Sequence, residues 1–357
     1  MGLSYRTAIK ETAMTMIDMH AHWRPAEVAD ALRARTREPR ILRNQDGVEV
    51  LKASRMGEEP LAKAFDDVDF HLARMDRQGV ETSVLSLLGS FCWVEALPLD
   101  ESGPLCRTIN NGLSAICQKN PGRFAAYAAL PLTDISAAAA ELERALGLPG
   151  MIGAQVPGNY FLTRKDAEAM RPLLEVANRH RAVLFIHNGP RPGDAYPKVA
   201  SDTDNARRRN GTLDMQASLS SVMVTLSLTD YLADYPDAMV HVHNLGGNIP
   251  YEVERMDHRC LLDTPNEELP SSRFRKAKVY VDCNSFGPRA IEAAVNLYGA
   301  ERIVCGTDGT EFGCDWTKKA LAEAQIGEEA REQILHRNAA AMLARVARTA
   351  RPESVAA

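Results

Sequence analysis

Two histidines separated by a single residue, His20 and His22, are the side chains near the start of the chain best suited to chemistry. They follow the apolar residues 14–17, whose composition is typical of a β-strand, and Pro25 ends any strand pairing soon afterwards. Side chains at positions i and i+2 of a strand lie on one face, so both imidazoles project the same way. Two converging imidazoles are typical of a divalent metal site, and we predict one here.

Two further polar residues follow apolar segments of the same kind. His187 comes directly after residues 183–186, and Asp308 comes shortly after residues 302–305. Taken singly, each side chain could be an ordinary polar cap of a strand end. Together with the histidine pair they offer three nitrogens and one oxygen. We expect Zn²⁺ for this ligand set, and Mn²⁺ or Fe²⁺ also fit when waters complete the coordination sphere.

The elements that must position these residues are eight short apolar segments that alternate with segments of helical periodicity. The predicted strands are residues 14–22, 82–88, 123–130, 151–156, 183–186, 238–243, 279–282 and 302–305. This alternation indicates parallel strands with helical crossovers, and eight units predict an α/β fold, the (β/α)₈ TIM barrel. An open doubly wound sheet is the alternative, weakened because no Gly-x-Gly-x-x-Gly follows the first strand. In a barrel the four candidate ligands meet at the carboxyl ends of the strands.

Length and composition fit a single barrel. The chain has 357 residues, of which 45% are hydrophobic and 25% charged. We predict an N-terminal extension (1–13), a barrel domain (14–347) with insertions at about 33–59 and 188–211, and a C-terminal tail (348–357). The net charge of -5 gives no reason to expect nucleic acid or an anionic membrane as partner.

The cysteines and the absence of long apolar runs indicate the cellular compartment of the protein. No apolar run approaches the roughly 20 residues of a membrane span, and the first residues show no apolar core of a secretion signal. The seven cysteines are scattered and form no Cys-x-x-Cys. We therefore expect reduced thiols and a cytoplasmic protein.

Several of these stretches together resemble a known family. The run Ile17-Asp18-Met19-His20-Ala21-His22, the strand-five His187, the stretch HNLGGNIPYEVER and Gly306-Thr307-Asp308 resemble the amidohydrolase superfamily. Within it they are most similar to the branch related to aminocarboxymuconate-semialdehyde decarboxylase. The resemblance implies a metal-dependent barrel that decarboxylates, hydrates or hydrolyses a small carboxylate or aromatic substrate. It implies that His20, His22, His187 and Asp308 bind the metal, and that Asp308 also handles a proton.

The sequence departs from the family at the sixth strand. The family pattern there is His-x-Gly-Gly-x-x-Pro, but six residues before Pro250 stands Asn244, and His243 comes one residue early. A one-residue offset turns a side chain to the other face of a strand unless a bulge intervenes. Because the spacing leaves no extra residue for a bulge, we expect Asn244 to face the metal and His243 the outer helices. An amide cannot exchange a proton near neutral pH, which weakens chemistry that needs this histidine.

Four side chains near these elements have candidate roles beyond the predicted ligand set. His241 and His243 could pack against the helices or serve a remodelled metal site. Arg255, predicted at the start of a helix near the barrel mouth, suits a substrate carboxylate, with a surface ion pair as the alternative. Trp23, next to the histidine pair, is a candidate wall of the substrate pocket, with ordinary packing as its alternative.

Three functions remain open on these residues. The first is a metal-dependent hydrolase or carboxy-lyase for a small carboxylate, with Asp308, Asn244 and His243 as candidate catalytic residues. The second, suggested by Asn244, is a metal-binding subunit of an oxygen-activating monooxygenase resembling 2-aminoisobutyrate hydroxylase, in which the metal of this chain is largely structural. A barrel that keeps its metal without turnover is a third. We expect a homodimer or a complex with a related chain, because the loop 188–211 is too polar to be buried within a single chain.

Overall fold

Eight parallel strands form the centre of the molecule. The computed structural model describes residues 15–53, 57–61, 66–87, 94–194 and 205–349. The strands are β1 (Met16–Trp23), β2 (Val80–Leu87), β3 (Phe124–Ala128), β4 (Met151–Pro157), β5 (Val183–His187), β6 (Met239–Val242), β7 (Val279–Asp282) and β8 (Ile303–Val304). Each strand pairs in parallel with the next one in the chain.

The sheet closes on itself where β8 meets β1. A parallel bridge joins Asp18 to Cys305, and the Met19 amide donates a 2.9 Å hydrogen bond to the Cys305 carbonyl. The Thr307 amide donates to the His20 carbonyl at 3.2 Å. These bonds bring the end of β8 beside the predicted ligand pair, and the barrel predicted from the sequence is confirmed.

Helices cover the outside of the barrel and connect successive strands. The longer helices are Ala26–Arg33, Val68–Gln78, Leu99–Lys119, Ile135–Leu146, Arg171–His180, Met215–Ser227, Ile249–Asp263, Pro270–Lys276, Pro288–Tyr298, Glu311–Glu323, Glu328–Glu332 and Asn338–Thr349. Short helical turns occupy Arg164–Ala167, Ala206–Arg208, Gly158–Phe161, Glu168–Met170, Arg209–Asp214, Asn244–Gly246, Ala300–Arg302 and Gln333–Arg337. No helix in the described ranges is long and apolar enough to cross a bilayer.

Local sequence explains where several of these helices begin and end. Helix Ile135–Leu146 begins after Asp134, whose carboxylate accepts a 2.9 Å hydrogen bond from the Ala137 amide as an N-cap. Its buried residues recur at helical spacing, so one face packs on the barrel. Helix Val68–Gln78 ends at Gly79 in the left-handed conformation, where glycine carries no steric penalty.

Two parts of the structure differ from the sequence-based prediction. The insertion predicted at about 33–59 contains a three-stranded antiparallel sheet of Arg40–Arg43, Glu49–Ala53 and Gly57–Pro60. The sequence predicts a helix over residues 104–119 with Pro104 in its first turn, but the observed helix, Leu99–Lys119, begins five residues earlier. Asp100 and Glu101 lie in the additional first turn, where their charge complements the helix dipole.

The ends of the chain and part of the second insertion fall outside the described residues. The predicted N-terminal extension (1–13) lies wholly there, as do residues 350–357 of the predicted tail and 195–204 of the polar loop. The division of the chain into these segments therefore stays a prediction.

The barrel interior is filled beneath its carboxyl-terminal mouth. A cluster of buried apolar side chains from the strands, including Met19, Tyr127 and Phe185, meets Met342 and Val346 of the last helix. A second, larger apolar cluster packs the strands against the surrounding helices. This packing leaves the upper end of the barrel for polar side chains.

Candidate metal centre

The four predicted ligands converge at the mouth of the barrel. His20 and His22 lie on β1, His187 ends β5, and Asp308 follows β8. One potential ligand atom of each lies within 4.8 Å of the others. Asp308 Oδ1 is 3.4 Å from His20 Nε2 and 3.1 Å from His22 Nε2. The structure thus brings together residues as far apart in the sequence as His20 on β1 and Asp308 after β8.

Each of the three histidines has its Nδ1 engaged by a neighbour. His20 Nδ1 lies 3.2 Å from Asp282 Oδ2, and His187 Nδ1 lies 2.9 Å from the Asn188 carbonyl oxygen. His22 Nδ1 donates to Ser86 Oγ at 3.1 Å, and the Ser86 hydroxyl donates in turn to a backbone carbonyl. Partners of this kind fix the ring and make Nε2 the lone-pair nitrogen, as metal-binding histidines require.

Two glycines allow the loop after β8 to approach β1 closely. A Cβ on Gly306 would lie 2.9 Å from His20 Cβ, and one on Gly309 would lie 2.9 Å from the backbone nitrogen of His22. Between them Asp308 has φ of +60°, a left-handed conformation that is unfavourable for aspartate. Such strain at a functional position persists only where the surroundings hold it.

Asp18 provides part of that support from below. Its carboxylate accepts hydrogen bonds from the Thr307 amide at 3.1 Å and from the Thr307 hydroxyl. The Gly309 amide donates to the same hydroxyl at 3.1 Å. The backbone on both sides of Asp308 is therefore tied to β1.

His243 lies inside the barrel, and our expectation that it faces the outer helices is wrong. Its ring stacks on that of His187 with centroids 4.2 Å apart, and it lies 5.4 Å from the ring of His20. His243 Nε2 accepts a 2.8 Å hydrogen bond from the Asn188 amide. The Nδ1 of His243 is therefore the protonated nitrogen, and it is buried with no hydrogen-bond partner in the described part of the chain.

The backbone leaves the regular strand conformation just after His243. Asn244, Leu245, Gly246 and Gly247 all have positive φ, between 52° and 81°. The backbone makes a tight left-handed turn here, so strand alternation no longer predicts which way side chains point. Asn244 contacts neighbours of the cluster instead: its side-chain oxygen accepts a 3.4 Å hydrogen bond from Asn284.

His241 also lies inside the barrel, one layer below His243. Its ring stacks on Phe185 at 4.5 Å. Nε2 donates to Asp282 Oδ2 at 3.0 Å, and Nδ1 lies 3.5 Å from the Tyr127 hydroxyl. The alternative in which this histidine packs against the outer helices is therefore excluded.

The electrostatics of the cluster favour a cation. Burial alone raises the pKa of Asp308, but the neighbouring imidazoles of His20 and His22 hold that pKa well below its usual range. Burial lowers the pKa of His20, yet Asp282 and Asp308 outweigh it and raise the pKa to about 10. A positive charge is thus stabilised between two carboxylates even in the absence of metal.

The donor set fits a divalent cation. His20 Nε2 is buried and lacks the geometry of a hydrogen bond to any described residue, although Asp308 is close. Three imidazole nitrogens and one ionised carboxylate are donors that Zn²⁺, Mn²⁺ and Fe²⁺ accept. An ion at the usual distance of about 2.0–2.2 Å from nitrogen would satisfy this orphaned atom.

The two predicted substrate residues are not brought to the cluster. Arg255 is exposed on helix Ile249–Asp263 and makes no hydrogen bond or ion pair with the residues the structure describes. Trp23 is buried among the strands and helices, with its ring edge-on to that of His71 at 5.8 Å. The packing alternative describes Trp23 better than a pocket wall.

A cavity of about 240 Å³ adjoins Asp308 at the barrel mouth. Its polar lining residues include Asn284, Ser285 and Thr310. Phe312 and Trp316 contribute apolar lining, with stacked rings 6.0 Å apart and inclined by 29°. This aromatic pair was not among the predicted site residues, although its spacing of four residues places both side chains on one face of a helix.

Metal-free protein is expected to lose stability as the pH falls from 7 to 5. Burial lowers the pKa of His187 well below 6.5, lowers that of His243 to about 3, and also lowers that of His241. Below pH 6.5 the unfolded chain therefore takes up protons that the folded chain does not, and the free energy of unfolding decreases.

Two other buried groups act differently in this pH range. His20, whose pKa is raised to about 10, stays protonated when folded, so its contribution is fully present below pH 6.5. The buried Asp18 carboxyl, whose pKa is raised to about 6, opposes the trend but is one group against three imidazoles. Urea titrations with a chelator at several pH values measure the slope. A free energy of unfolding that rises on acidification would contradict it.

Comparison with known proteins gives the family and its members. The profile of the family described as Amidohydrolase matches residues 17–345. The gamma-resorcylate decarboxylase of Rhizobium sp. (strain MTP-10005) is 27% identical over 292 residues, 78% of this chain and 87% of that protein. The 2-amino-3-carboxymuconate-6-semialdehyde decarboxylase of Dictyostelium discoideum is 24% identical over 253 residues, 68% of this chain and 66% of that protein.

A solved structure supports the same fold. The dihydroxybenzoic acid decarboxylase of Polaromonas sp. JS666, with bound manganese and the inhibitor 2-nitroresorcinol, superposes with a TM-score of 0.64. It is 21% identical and is matched over 96% of this chain and 99% of that one. None of these three proteins is named as an oxygenase, so the monooxygenase alternative gains no support from them.

Proposed function

The chain belongs to the amidohydrolase family, and on that premise we propose that it is a metal-dependent carboxy-lyase that removes CO₂ from a small aromatic carboxylate. The observation that carries this proposal is the position of His243. Its imidazole stacks on His187 beside the four-residue cluster, where chemistry on a carboxylate needs a proton-transferring group.

This position removes the reason for preferring a hydrolase or hydratase. With Asn244 at the metal, the site would have had an amide that cannot exchange a proton. With His243 there, the imidazole that a decarboxylase needs is present. Relatives named as decarboxylases support the same choice. The monooxygenase subunit and the inactive barrel have no such supporting observation.

We propose that His20, His22, His187 and Asp308 hold one divalent ion. When bound, the ion supplies positive charge that orients and polarises the oxygen atoms of the substrate. The donor set alone suggests zinc, whereas the manganese in a related crystal structure supports Mn²⁺. We propose Mn²⁺ or Zn²⁺, and metal analysis of the purified protein distinguishes the two.

The chemistry of decarboxylation indicates which task His243 would perform. Decarboxylation breaks a carbon–carbon bond, CO₂ leaves, and the electron pair stays on a carbon that then takes up a proton. Burial lowers the pKa of His243 to about 3, so a proton that this imidazole takes up from water is readily passed to that carbon, and His243 returns to its neutral form. In its resting neutral form, His243 can donate a hydrogen bond to the substrate from Nδ1.

An aromatic substrate is supported by the cavity beside Asp308. The stacked rings of Phe312 and Trp316 contribute apolar lining, and aromatic rings pack favourably against each other in stacked or edge-on arrangements. The polar lining residues Asn284, Ser285 and Thr310 can bind ring hydroxyls. This mixed lining suits a benzoate-sized molecule with hydroxyl substituents.

The experiment is to incubate the metal-loaded protein with carboxyl-¹³C aromatic acids, including 2,6-dihydroxybenzoate. We expect ¹³CO₂ and the phenol lacking the carboxyl group, and no release after the metal is removed by a chelator. Release that is unaffected by chelation, or turnover confined to amide or ester substrates, would contradict a metal-dependent carboxy-lyase.

Assembly and compartment complete the proposal. We propose that the chain acts as a homodimer or with a related chain, because an exposed aromatic such as Phe312 beside the cavity suits coverage by a partner. We also propose a reducing, cytoplasmic compartment. The six cysteines within the described residues are free thiols, in keeping with that environment.

A further inference from the structure

A buried carboxylate, that of Asp282, lies directly beneath the candidate metal centre. Asp282 ends β7 and is completely buried. Its two oxygens accept four hydrogen bonds, from groups on β1, on β6 and in the turns that follow β6 and β7. An ionised carboxylate in the interior needs such partners, and burial of a charge is costly unless they are present.

One oxygen of Asp282 serves two imidazoles. Oδ2 lies 3.2 Å from His20 Nδ1 and 3.0 Å from His241 Nε2. A carboxylate can only accept, so both of these nitrogens carry the proton. When an ion is bound in place of the second proton, His20 therefore has its remaining proton on Nδ1, on the side away from the cluster, and its lone pair on Nε2.

The other oxygen of Asp282 is held by the backbone. Oδ1 accepts from the Asn244 amide at 3.0 Å and from the Asn284 amide at 3.1 Å. Because these amides are fixed donors, the carboxylate cannot rotate to exchange its two oxygens freely. The geometry leaves Oδ2 facing the imidazoles.

We propose that Asp282 is a positioning residue for the metal centre, which fixes the ring of His20 and the nitrogen that His20 presents to the ion. The inference rests on the proposed metal site but not on the reaction carried out there. Carboxylate partners of metal-bound histidines typically change metal affinity by about 10–100-fold when they are removed.

The substitution Asp282→Asn tests the proposal with little change in shape. The amide oxygen of Asn must face the backbone donors of Asn244 and Asn284, so its NH₂ group faces His20. His20 then accepts at Nδ1 and carries its proton on Nε2, where it cannot bind the ion. We expect Mn²⁺ affinity, measured by competition with a chelator, to fall by about 10–100-fold.

The matched control is His241→Phe. It disturbs the same buried network and keeps a ring against Phe185, but it leaves the contact between Asp282 and His20 intact. We expect its Mn²⁺ affinity to stay within about threefold of the unsubstituted protein, well short of the loss expected for a removed partner. Equal losses in both variants, or no loss with Asp282→Asn, would overturn the proposal.

The unsubstituted protein gives an independent test if Asp282→Asn does not fold. ¹⁵N spectra of the histidine rings in Zn²⁺-loaded protein should show His20 with a slowly exchanging proton on Nδ1. A His20 that binds zinc through Nδ1 would overturn the proposal. Failure of the unsubstituted protein to bind either metal would instead overturn the metal centre itself, and the inference with it.

Discussion

Replacing His20 and His22 together by alanine is expected to abolish stoichiometric metal binding and to lower activity by about 10³-fold or more. The two changes remove two of the four donors in the cluster. A bound ion contributes several kcal/mol of charge stabilisation in metal-dependent catalysis, and each 1.36 kcal/mol corresponds to a factor of ten. Elemental analysis of the purified variant, followed by CO₂ release, measures both effects.

The control for this double variant uses histidines far from the cluster. His180 and His336 lie near the surface and pair with Glu143 and Glu81. Alanine at both positions should leave the metal content unchanged. Metal that survives the loss of His20 and His22 would move the site elsewhere, for example to His241 and its neighbours.

His243→Ala is expected to lower kcat by about 10²–10⁴-fold while the metal content stays the same. General acid–base catalysis by a positioned side chain contributes a factor of this size. The imidazole is not among the four converging donors but stacks on one of them, so its loss should spare the ion. Steady-state kinetics together with metal analysis separates the two effects.

The companion variant is Asn244→Gly. Asn244 has φ of +53°, which glycine adopts without strain, so the backbone turn should be preserved. If His243 is the proton-transferring group, this variant should lose much less kcat than His243→Ala. A larger loss from Asn244→Gly would reverse the assignment and favour the hydrolase or partner-subunit alternatives.

The sequence was sufficient to predict the cluster because its members follow regular strands. His187 ends an apolar run whose bounds were nearly correct, and a parallel barrel brings the carboxyl ends of all its strands to one mouth. His20 and His22 share a face by simple alternation. Residues far apart in the sequence could thus be assigned to one site from the order of the predicted strands.

The position of His243 could not be predicted because the backbone leaves the regular pattern there. Leu245 adopts φ of +52°, which is rare for a bulky residue and carries no sequence signature. Counting back from Pro250 assumed that the intervening residues run as in the family, and the left-handed turn breaks that assumption. Tertiary contacts of the buried turn stabilise a left-handed backbone conformation that the local sequence disfavours.

The position of Asp282 could have been predicted from the sequence, but Asp282 was not among the predicted site residues. It is a charged residue at the end of a predicted apolar strand, the same pattern that identified His187. For Arg255 the sequence indicated a positive charge on a helix near the barrel mouth, but it did not indicate which side of that helix the side chain occupies. Its exposure depends on helix packing, which the local pattern around Arg255 does not specify.

Anomalous diffraction from crystals of the manganese-loaded protein tests the central claim most directly. We predict one strong peak at the barrel mouth, about 2.0–2.2 Å from the nearest nitrogens of His20, His22 and His187 and bonded to an Asp308 oxygen. Such a peak would join the four side chains that already lie within 4.8 Å of one another. A peak elsewhere, or none from protein that binds manganese in solution, would contradict the metal centre described here.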